Sequence, residues 1–230
     1  MSLIIRVIND SYLMRELVTV PKVSDKHREE RINVIFQAAE QVFREKGYQA
    51  ATIQDVIERS GISRGGIYTY FPNMEQLFLA LLQAQDERSR AAMAEAVRQG
   101  DRAWPVLEML IRRTAEGIAG VSDSMAPAIY EYFFTEGWRK KEHLPLLERR
   151  VAATVDTLTA LMRRGMAGGE FRADADPDLI ARTLVSTFDG LMLSVLHFGA
   201  EAARLKEQTA FIIGYIHAAL TDGGEEAPDA

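Results

Sequence analysis

The 230-residue sequence contains no cysteine. This absence excludes a disulfide framework, a zinc site built from thiolates, an iron–sulfur cluster and a cysteine nucleophile. Histidine is also scarce, because the chain has only four. They stand far apart, at His27, His143, His197 and His217, and this scatter does not indicate a metal site. We therefore expect neither a metal ion nor a cofactor.

The sequence also lacks an excess of positive charge and a long hydrophobic run. Its formal net charge is −6 at pH 7, which excludes a uniformly basic protein that coats nucleic acid but allows a local basic face. No apolar run approaches the about 18 residues of a membrane span. The N-terminus lacks the features of a signal peptide. We therefore predict a soluble, cytoplasmic protein that does not bind membranes.

Helical periodicity is present along nearly the whole chain, and no segment alternates as a strand would. In residues 25–46, apolar side chains recur at steps of three and four, and Gly47 follows as a C-terminal stop. The stripe consists of Ile32, Ile35, Phe36, Ala39, Val42 and Phe43. Further helices are predicted at 52–60, 63–71, 74–99, 104–119, 124–136, 144–166, 177–198 and 201–220. The predicted fold class is all-α.

Residues 52–70 carry the most specific motif. Thr52 is a predicted N-cap, and Asp55 three residues later completes a capping box. Gly61 ends this short helix, and Ser63 caps the next one. Two short helices joined by a tight turn form a helix-turn-helix, whose second helix enters the major groove of DNA.

The segment 28–82 resembles the TetR family of bacterial one-component transcriptional regulators. The matching positions are Ala38, Ala39, Phe43, Gly47, Tyr48, Thr52, Ile53, Gly61, Ile62, Ser63, Tyr68, Phe71 and Leu77. The resemblance implies a helical homodimer. Its N-terminal domain would bind a palindromic operator, usually as a repressor, and its C-terminal domain would hold a small molecule whose binding releases the DNA.

Candidate DNA-contacting residues lie on and beside the two short helices. Arg64 begins the recognition helix and is expected to read guanine or to contact a phosphate. Thr69 lies on the same exposed side, and Gln54 lies where the family often places a base-contacting residue. For Arg64 and Gln54, the alternative is an ordinary solvated side chain. Further candidates, for phosphate contacts, are Lys26, Thr52, Tyr68, Tyr70 and Asn73. For the two tyrosines, the alternative is a wholly structural role.

Two departures from the family pattern concern this region. Gly65 and Gly66 stand inside the recognition helix, where each glycine costs about 1 kcal/mol relative to alanine. They indicate either a close approach to DNA or a loose helix that becomes ordered on binding. Met74 stands where the family usually has a lysine that contacts a phosphate.

The helices predicted in 177–220 are apolar on more than one side and therefore need two packing partners. Ser186, Gly190 and Ser194 recur every four residues, which permits close helix approach. We predict a four-helix bundle between two copies of the chain, with the internal core of a monomer as the alternative. The predicted dimerisation residues are Leu184, Ser186, Gly190, Leu191, Ser194, Ile212 and Ile216.

Aromatic residues and methionines are concentrated in the second domain and suit an apolar or aromatic effector. Ordinary hydrophobic core is the alternative interpretation. Glu108, Glu131 and His197 are polar candidates for orienting the ligand. The predicted effector-binding residues are Trp104, Met109, Tyr130, Phe133, Phe134, Trp138, Met162, Phe188 and Met192.

These patterns predict four segments and one function. The segments are a flexible extension (1–24), a three-helix DNA-binding domain (25–73), a helical effector-binding and dimerisation domain (74–220) and a disordered acidic tail (221–230). The function is transcriptional regulation, with operator DNA, an effector and a second copy as partners. The chain shows no nucleophile–base pair or cofactor fingerprint, so we expect no catalytic residues. The alternatives are a helical enzyme or binding protein without DNA binding, an activator, and a regulator that answers to another protein.

Overall fold

The computed structural model describes residues 25–140 and 144–221. All regular structure in these ranges is helical, which confirms the all-α prediction. The helices are α1 (Asp25–Lys46), α2 (Ile53–Ser60), α3 (Arg64–Tyr68), α4 (Met74–Gln99), α5 (Ala103–Ala119), α6 (Ala126–Thr135), α7 (Leu144–Ala167), α8 (Pro177–Ala202) and α9 (Leu205–Thr221). The predicted flexible extension (1–24) and residues 222–230 of the predicted tail lie outside the described residues.

The chain divides into two compact units. Unit 1 extends to Arg88 and also includes Ala128–Tyr132, whereas unit 2 comprises Ser89–Pro127 and the chain from Phe133 onward. The division falls inside α4, the long helix that begins at Met74. The physical reason is that the first half of α4 belongs to the core of unit 1. Its buried side chains are Leu77, Phe78, Leu81, Leu82 and Ala84.

The core of unit 1 is built on the apolar stripe of α1, all six residues of which are buried. Val56 from α2 and Ile67 from α3 are fully buried as well. The ring of Phe43 on α1 meets the ring of Phe78 on α4 edge-on, with the centroids 4.8 Å apart. Because α2 and α3 each bury one apolar face, their opposite faces are left to solvent.

Five residues of α6 complete unit 1. The Tyr132 ring lies 4.7 Å from the ring of Tyr48 and 5.1 Å from that of Phe78, and its hydroxyl donates a hydrogen bond to Glu75 at 3.0 Å. The neighbouring carboxylate of Glu131 accepts hydrogen bonds from the backbone N–H groups of Tyr48 and Gln49, the second at 3.2 Å. These contacts hold the turn that connects α1 to the helix-turn-helix.

Unit 2 packs α5, α7, α8 and α9 around one hydrophobic core. Glu170 accepts hydrogen bonds from the N–H groups of Ala103 and Trp104, at 2.8 and 2.9 Å, and so caps the N-terminus of α5. Asp176 caps α8, where Pro177 occupies the first turn. Carboxylates thus meet the positive ends of two helices, which favours both helix starts.

Helix α8 is both long, with 26 residues, and largely apolar. By length and composition it could cross a membrane, a test that core helices of soluble proteins also pass. A search of the sequence for uninterrupted apolar runs does not detect that α8 is long and apolar enough to pass this test. Five side chains of α8 are buried in the core of unit 2, namely Ala181, Leu184, Phe188, Leu191 and Val195.

Candidate functional site

The predicted capping box at the start of α2 is present. The Thr52 side chain accepts a hydrogen bond from Asp55 N–H at 3.2 Å, and the Asp55 carboxylate accepts one from Thr52 N–H at 3.0 Å. The Thr52 hydroxyl also donates to Asp55 Oδ2 at 2.9 Å. We predicted that the Thr52 hydroxyl donates its proton to a DNA phosphate. In the structure, this proton is already donated to Asp55.

Two ion pairs attach α2 to α1. Lys46 Nζ lies 2.7 Å from Asp55 Oδ1, and this bond, with those from Thr52, lowers the pKa of Asp55. The Arg59 guanidinium binds both carboxylate oxygens of Glu45, at 2.5 and 2.6 Å, and lowers the pKa of Glu45. A bidentate pair sets direction as well as distance, so it orients the helix-turn-helix on α1.

The recognition helix α3 is shorter than predicted. It spans five residues, Arg64–Tyr68, and its N-cap Ser63 accepts a hydrogen bond from Gly66 N–H at 3.2 Å. Gly61, which precedes it, adopts the left-handed conformation with φ of 68°. Ile67 is fully buried and holds α3 against the core of unit 1. The Thr69 hydroxyl donates to Gly65 O at 2.8 Å, so this candidate also uses its proton internally.

Arg64 and Gln54 form the centre of the candidate DNA surface. Both side chains are exposed, and Arg64 Nη2 donates a hydrogen bond to Gln54 Oε1 at 3.3 Å. The Gln54 amide in turn donates to Glu58 at 3.0 Å. The fold thus brings together two residues that the sequence proposed separately, one from each helix of the motif.

The two glycines of α3 have different surroundings. A Cβ added at Gly65 would meet no atom within 4 Å, whereas one added at Gly66 would lie 2.8 Å from Ile62 Cγ2 and 3.2 Å from Ser63 Oγ. Packing against Ile62 therefore accounts for Gly66. Among the described residues no contact accounts for Gly65, so close approach to DNA and a loose helix both stay predictions at this position.

The other DNA-binding candidates differ in their exposure and in the contacts that they already make within the protein. Tyr68 is exposed, whereas Tyr70 is half-buried beneath the Arg28 guanidinium, 6.0 Å from the ring centre. Asn73 caps α4, because its side-chain oxygen accepts a hydrogen bond from Gln76 N–H at 2.8 Å. The Lys26 side chain lies outside the described part of the chain. Of the two tyrosines, Tyr68 is therefore the one that is more open to a phosphate.

The predicted effector residues overlap little with the cavity found in the described part of unit 2. A cavity of about 200 Å³ lies within unit 2, and Phe188 alone of the nine predicted residues is in its wall. The cavity is lined by Met93, Leu110, Ile111, Thr114, Thr154, Leu158, Leu184, Val185, Phe188 and Asp189. Thr114, Thr154 and Asp189 are the polar groups in this lining, and sequence reasoning missed all three.

The remaining predicted effector residues are dispersed. Met162 is fully buried, Phe134 and Trp138 are exposed, and Trp104 packs edge-on against His217 at 4.4 Å. Met109 and Met192 are partly buried against the unit 2 core, Tyr130 and Phe133 are half-buried, and Tyr130 belongs to unit 1. Tyr130, Phe133 and Phe134 lie on one helix, α6, but neighbouring side chains of a helix point to different sides.

The polar ligand-orienting candidates have other contacts. Glu131 binds backbone N–H groups of unit 1, and Glu108 pairs with Arg112 at 2.6 Å. His197 is exposed beside the ring of Phe198, with the ring centres 5.9 Å apart. None of the three lines the cavity described above.

The predicted dimerisation residues divide into two groups. Leu184, Leu191, Ile212 and Ile216 are buried within the chain itself, whereas Ser186 and Gly190 are exposed and Ser194 is half-exposed. The large exposed apolar side chains nearby are Phe198, Phe211 and Tyr215, which are 70%, 74% and 59% exposed. We call these three side chains the aromatic face. They border a groove between α8 and α9 that Thr187 and Ser194 also line.

Family comparisons match both parts of the chain. Residues 35–81 match the family model for bacterial regulatory proteins of the tetR family. Residues 106–206 match the model for the tetracyclin repressor-like C-terminal domain. The N-terminal match includes α2 and α3, and the C-terminal match includes most of the cavity lining.

Individual relatives extend over most of the chain. The uncharacterized HTH-type transcriptional regulator YfiR of Bacillus subtilis is 34% identical over 184 residues, covering 80% of this chain and 88% of that protein. The HTH-type transcriptional repressor Rv1474c of Mycobacterium tuberculosis is 29% identical over 194 residues, covering 81% and 92%. A TetR transcription regulator from Haloarcula marismortui has a crystal structure similar in fold, with a TM-score of 0.74 at 20% identity, covering 84% and 100%.

Proposed function

Since this chain belongs to the TetR family of bacterial transcriptional regulators, we propose that it is a homodimeric repressor that a small molecule releases from a palindromic operator. The observation that carries this proposal is the exposed Arg64–Gln54 pair on the helix-turn-helix. An arginine at the start of a recognition helix can donate two hydrogen bonds to the O6 and N7 atoms of guanine. Gln54 holds the guanidinium at the surface and supplies a second group for a base edge or a phosphate.

The aromatic face supports the homodimer. Phe198, Phe211 and Tyr215 expose more than half of their surface in a single chain, and clusters of this kind mark interaction sites. Helices α8 and α9 from two copies would form a four-helix bundle, with Ser194 and Gly190 allowing close approach. A two-fold dimer would present two recognition helices about 34–36 Å apart, which matches one turn of DNA.

The cavity in unit 2 supports control by a small molecule. A ligand shifts a regulator between states only by the difference in its affinity for them. Binding inside unit 2 would favour a conformation that cannot place two recognition helices on one operator. Three relatives are named transcriptional repressors, which favours repression for this chain. A protein with this role acts in the cytoplasm, without catalysis and without a membrane.

Selection from a random duplex library tests this function. Purified full-length protein is incubated with the library at defined salt, with competitor DNA, and the bound sequences are determined. We expect an enriched palindrome with half-sites one helical turn apart, and light scattering should give a dimer. Failure to enrich any sequence with dimeric protein would contradict the operator proposal. A reporter gene behind the enriched site should be expressed less when the protein is present; higher expression would mean activation instead.

A further inference from the structure

The cavity in unit 2 has an apolar wall and a small volume. Seven of its ten lining residues are apolar, and its volume is about 200 Å³. Sites for drug-sized ligands span about 300–1,000 Å³, so this cavity fits a smaller molecule with an apolar body. Phe188 contributes an aromatic ring to the wall.

The polar atoms of the cavity are hydrogen-bond acceptors. The Thr114 hydroxyl donates to Leu110 O at 2.9 Å, and the Thr154 hydroxyl donates to Arg150 O at 3.4 Å. Both hydroxyl protons are thus used within their own helices, and only oxygen lone pairs remain for a ligand. Asp189 adds a carboxylate, which accepts hydrogen bonds and carries a negative charge.

Asp189 is the charged group of the lining, on an otherwise apolar stretch of α8. Partial loss of solvation raises the pKa of its carboxyl, and the charge of Arg150 opposes this rise. The Asp189 side chain is exposed in the single chain, so its carboxylate is accessible to a ligand. A ligand that carries a positive charge and donates hydrogen bonds would be attracted to this carboxylate, whereas an anionic ligand would be repelled.

We propose that this cavity binds a small apolar amine in its ammonium form. The ammonium would donate hydrogen bonds to the Asp189 carboxylate and the two threonine oxygens, and the apolar body would lie against Leu110, Leu158 and Phe188. A cation near the Phe188 ring would also be attracted to the ring face. This inference rests on the proposed function, because it assigns the chemical class of the effector.

Calorimetry with three matched probes tests the binding step on DNA-free, full-length protein. The probes are 2-phenylethylamine, 2-phenylethanol and phenylacetate, which are cationic, neutral and anionic. The amine should bind about tenfold or more tightly than the alcohol, because it makes charge-assisted hydrogen bonds. Phenylacetate should bind more weakly than the alcohol. Equal affinities, tighter binding of phenylacetate, or no measurable binding of the amine would overturn the proposal.

Variants identify the carboxylate responsible. Asp189→Asn should reduce amine affinity to that of the alcohol and leave alcohol affinity unchanged. Asp178→Asn is the matched control, because it removes the same charge from the same helix at a residue bonded to Arg182 and outside the cavity. Unchanged amine affinity in Asp189→Asn, or an equal loss in both variants, would contradict the assignment. Circular dichroism melting establishes that both variants are folded.

A second readout separates this inference from the proposed function. The amine is added to the complex of the protein with its selected operator, and release is followed by fluorescence anisotropy. Release by the amine, but not by phenylacetate, supports the effector role. Amine binding without release would overturn that role. A protein that binds no operator but discriminates among the probes at Asp189 would refute the regulatory function while supporting the cavity assignment.

Discussion

The carboxylate of Glu131 accepts a hydrogen bond from the backbone N–H of Tyr48, 83 residues earlier in the chain. Gly47 makes this contact feasible, because its φ is +74° and a Cβ there would lie 2.6 Å from Glu131 Oε2. Residues on both sides of 128–132 belong to unit 2, whereas this short stretch belongs to unit 1. The turn before the helix-turn-helix is therefore held by a distant part of the chain.

Gly47→Ala should destabilise unit 1 more than Gly61→Ala does. Both glycines have positive φ, so each substitution costs about 1–2 kcal/mol for a left-handed residue. At Gly47 the new Cβ would also displace Glu131, whereas at Gly61 it would meet nothing within 4 Å. The loss of hydrogen bonds to a charged acceptor adds about 1.5–3 kcal/mol. Urea denaturation followed by circular dichroism measures both values. In a Glu131→Ala background the extra cost should disappear; its persistence would place the clash elsewhere.

Arg64→Ala should weaken specific operator binding by about 1–3 kcal/mol and relax the base preference at one position of each half-site. Arg113→Ala, at an exposed arginine of α5, should have no such effect. Fluorescence anisotropy on the selected operator and on random DNA gives the specificity ratio at fixed salt. An unchanged ratio in Arg64→Ala would remove this residue from those that read bases and leave it a phosphate contact.

The two glycines of α3 should respond differently to alanine. Gly65→Ala should stabilise the helix by about 1 kcal/mol and weaken operator binding, because its Cβ has room in the free protein but not against DNA. Gly66→Ala should not give this stabilisation, since Ile62 must shift to admit the Cβ. Thermal melting and operator titration provide the two readouts. Full operator affinity in Gly65→Ala would show that close approach does not explain this glycine.

Phe211→Glu should break the homodimer. A charge at a residue that is 74% exposed in one chain costs little in a monomer but would be buried without a partner at the interface. Sedimentation velocity should show a monomer, and circular dichroism should show unchanged helix content. Val151→Glu, at an exposed apolar residue of α7 outside the aromatic face, should remain dimeric. A dimeric Phe211→Glu variant would place the interface on another surface.

Acid should weaken the contribution of the Arg172–Asp174 pair to stability. Hydrogen bonding to Arg172 lowers the pKa of Asp174 from 3.8 to about 2. Because the folded-state pKa is the lower one, this contribution is present above pH 3.8 and disappears as the pH falls towards 2. The difference in Tm between the wild type and Asp174→Asn should therefore shrink between pH 5 and pH 2. A constant difference over this range would show that titration of Asp174 does not affect stability.

Local sequence signals account for most helix boundaries. Thr52, Gly61 and Ser63 act on neighbouring backbone groups, so the predicted α2 and the start of α3 agree with the structure. The predicted recognition helix is too long at its C-terminal end, since α3 ends at Tyr68. Periodicity alone does not reveal where such a short helix stops.

Contacts between distant segments lie beyond such signals. Glu131 seemed suited to orient a ligand, but it binds Tyr48 in unit 1, and no local pattern connects these residues. The cavity residues Thr114, Thr154 and Asp189 come from three helices. A lone acidic residue between Phe188 and Gly190 is a signal that could have directed attention to α8. That local signal does not show where Asp189 lies relative to α5 and α7.

The order of the helices, their caps and the helix-turn-helix are properties of the sequence itself, because each depends on residues a few positions apart. The tertiary structure decided which sides of α8 and α9 enter the core of unit 2 and which form the aromatic face. Both helices are apolar on several sides, so periodicity cannot distinguish a residue such as Leu184 from one such as Phe198. That choice depends on how four helices pack together, since each apolar face is buried only where another helix covers it.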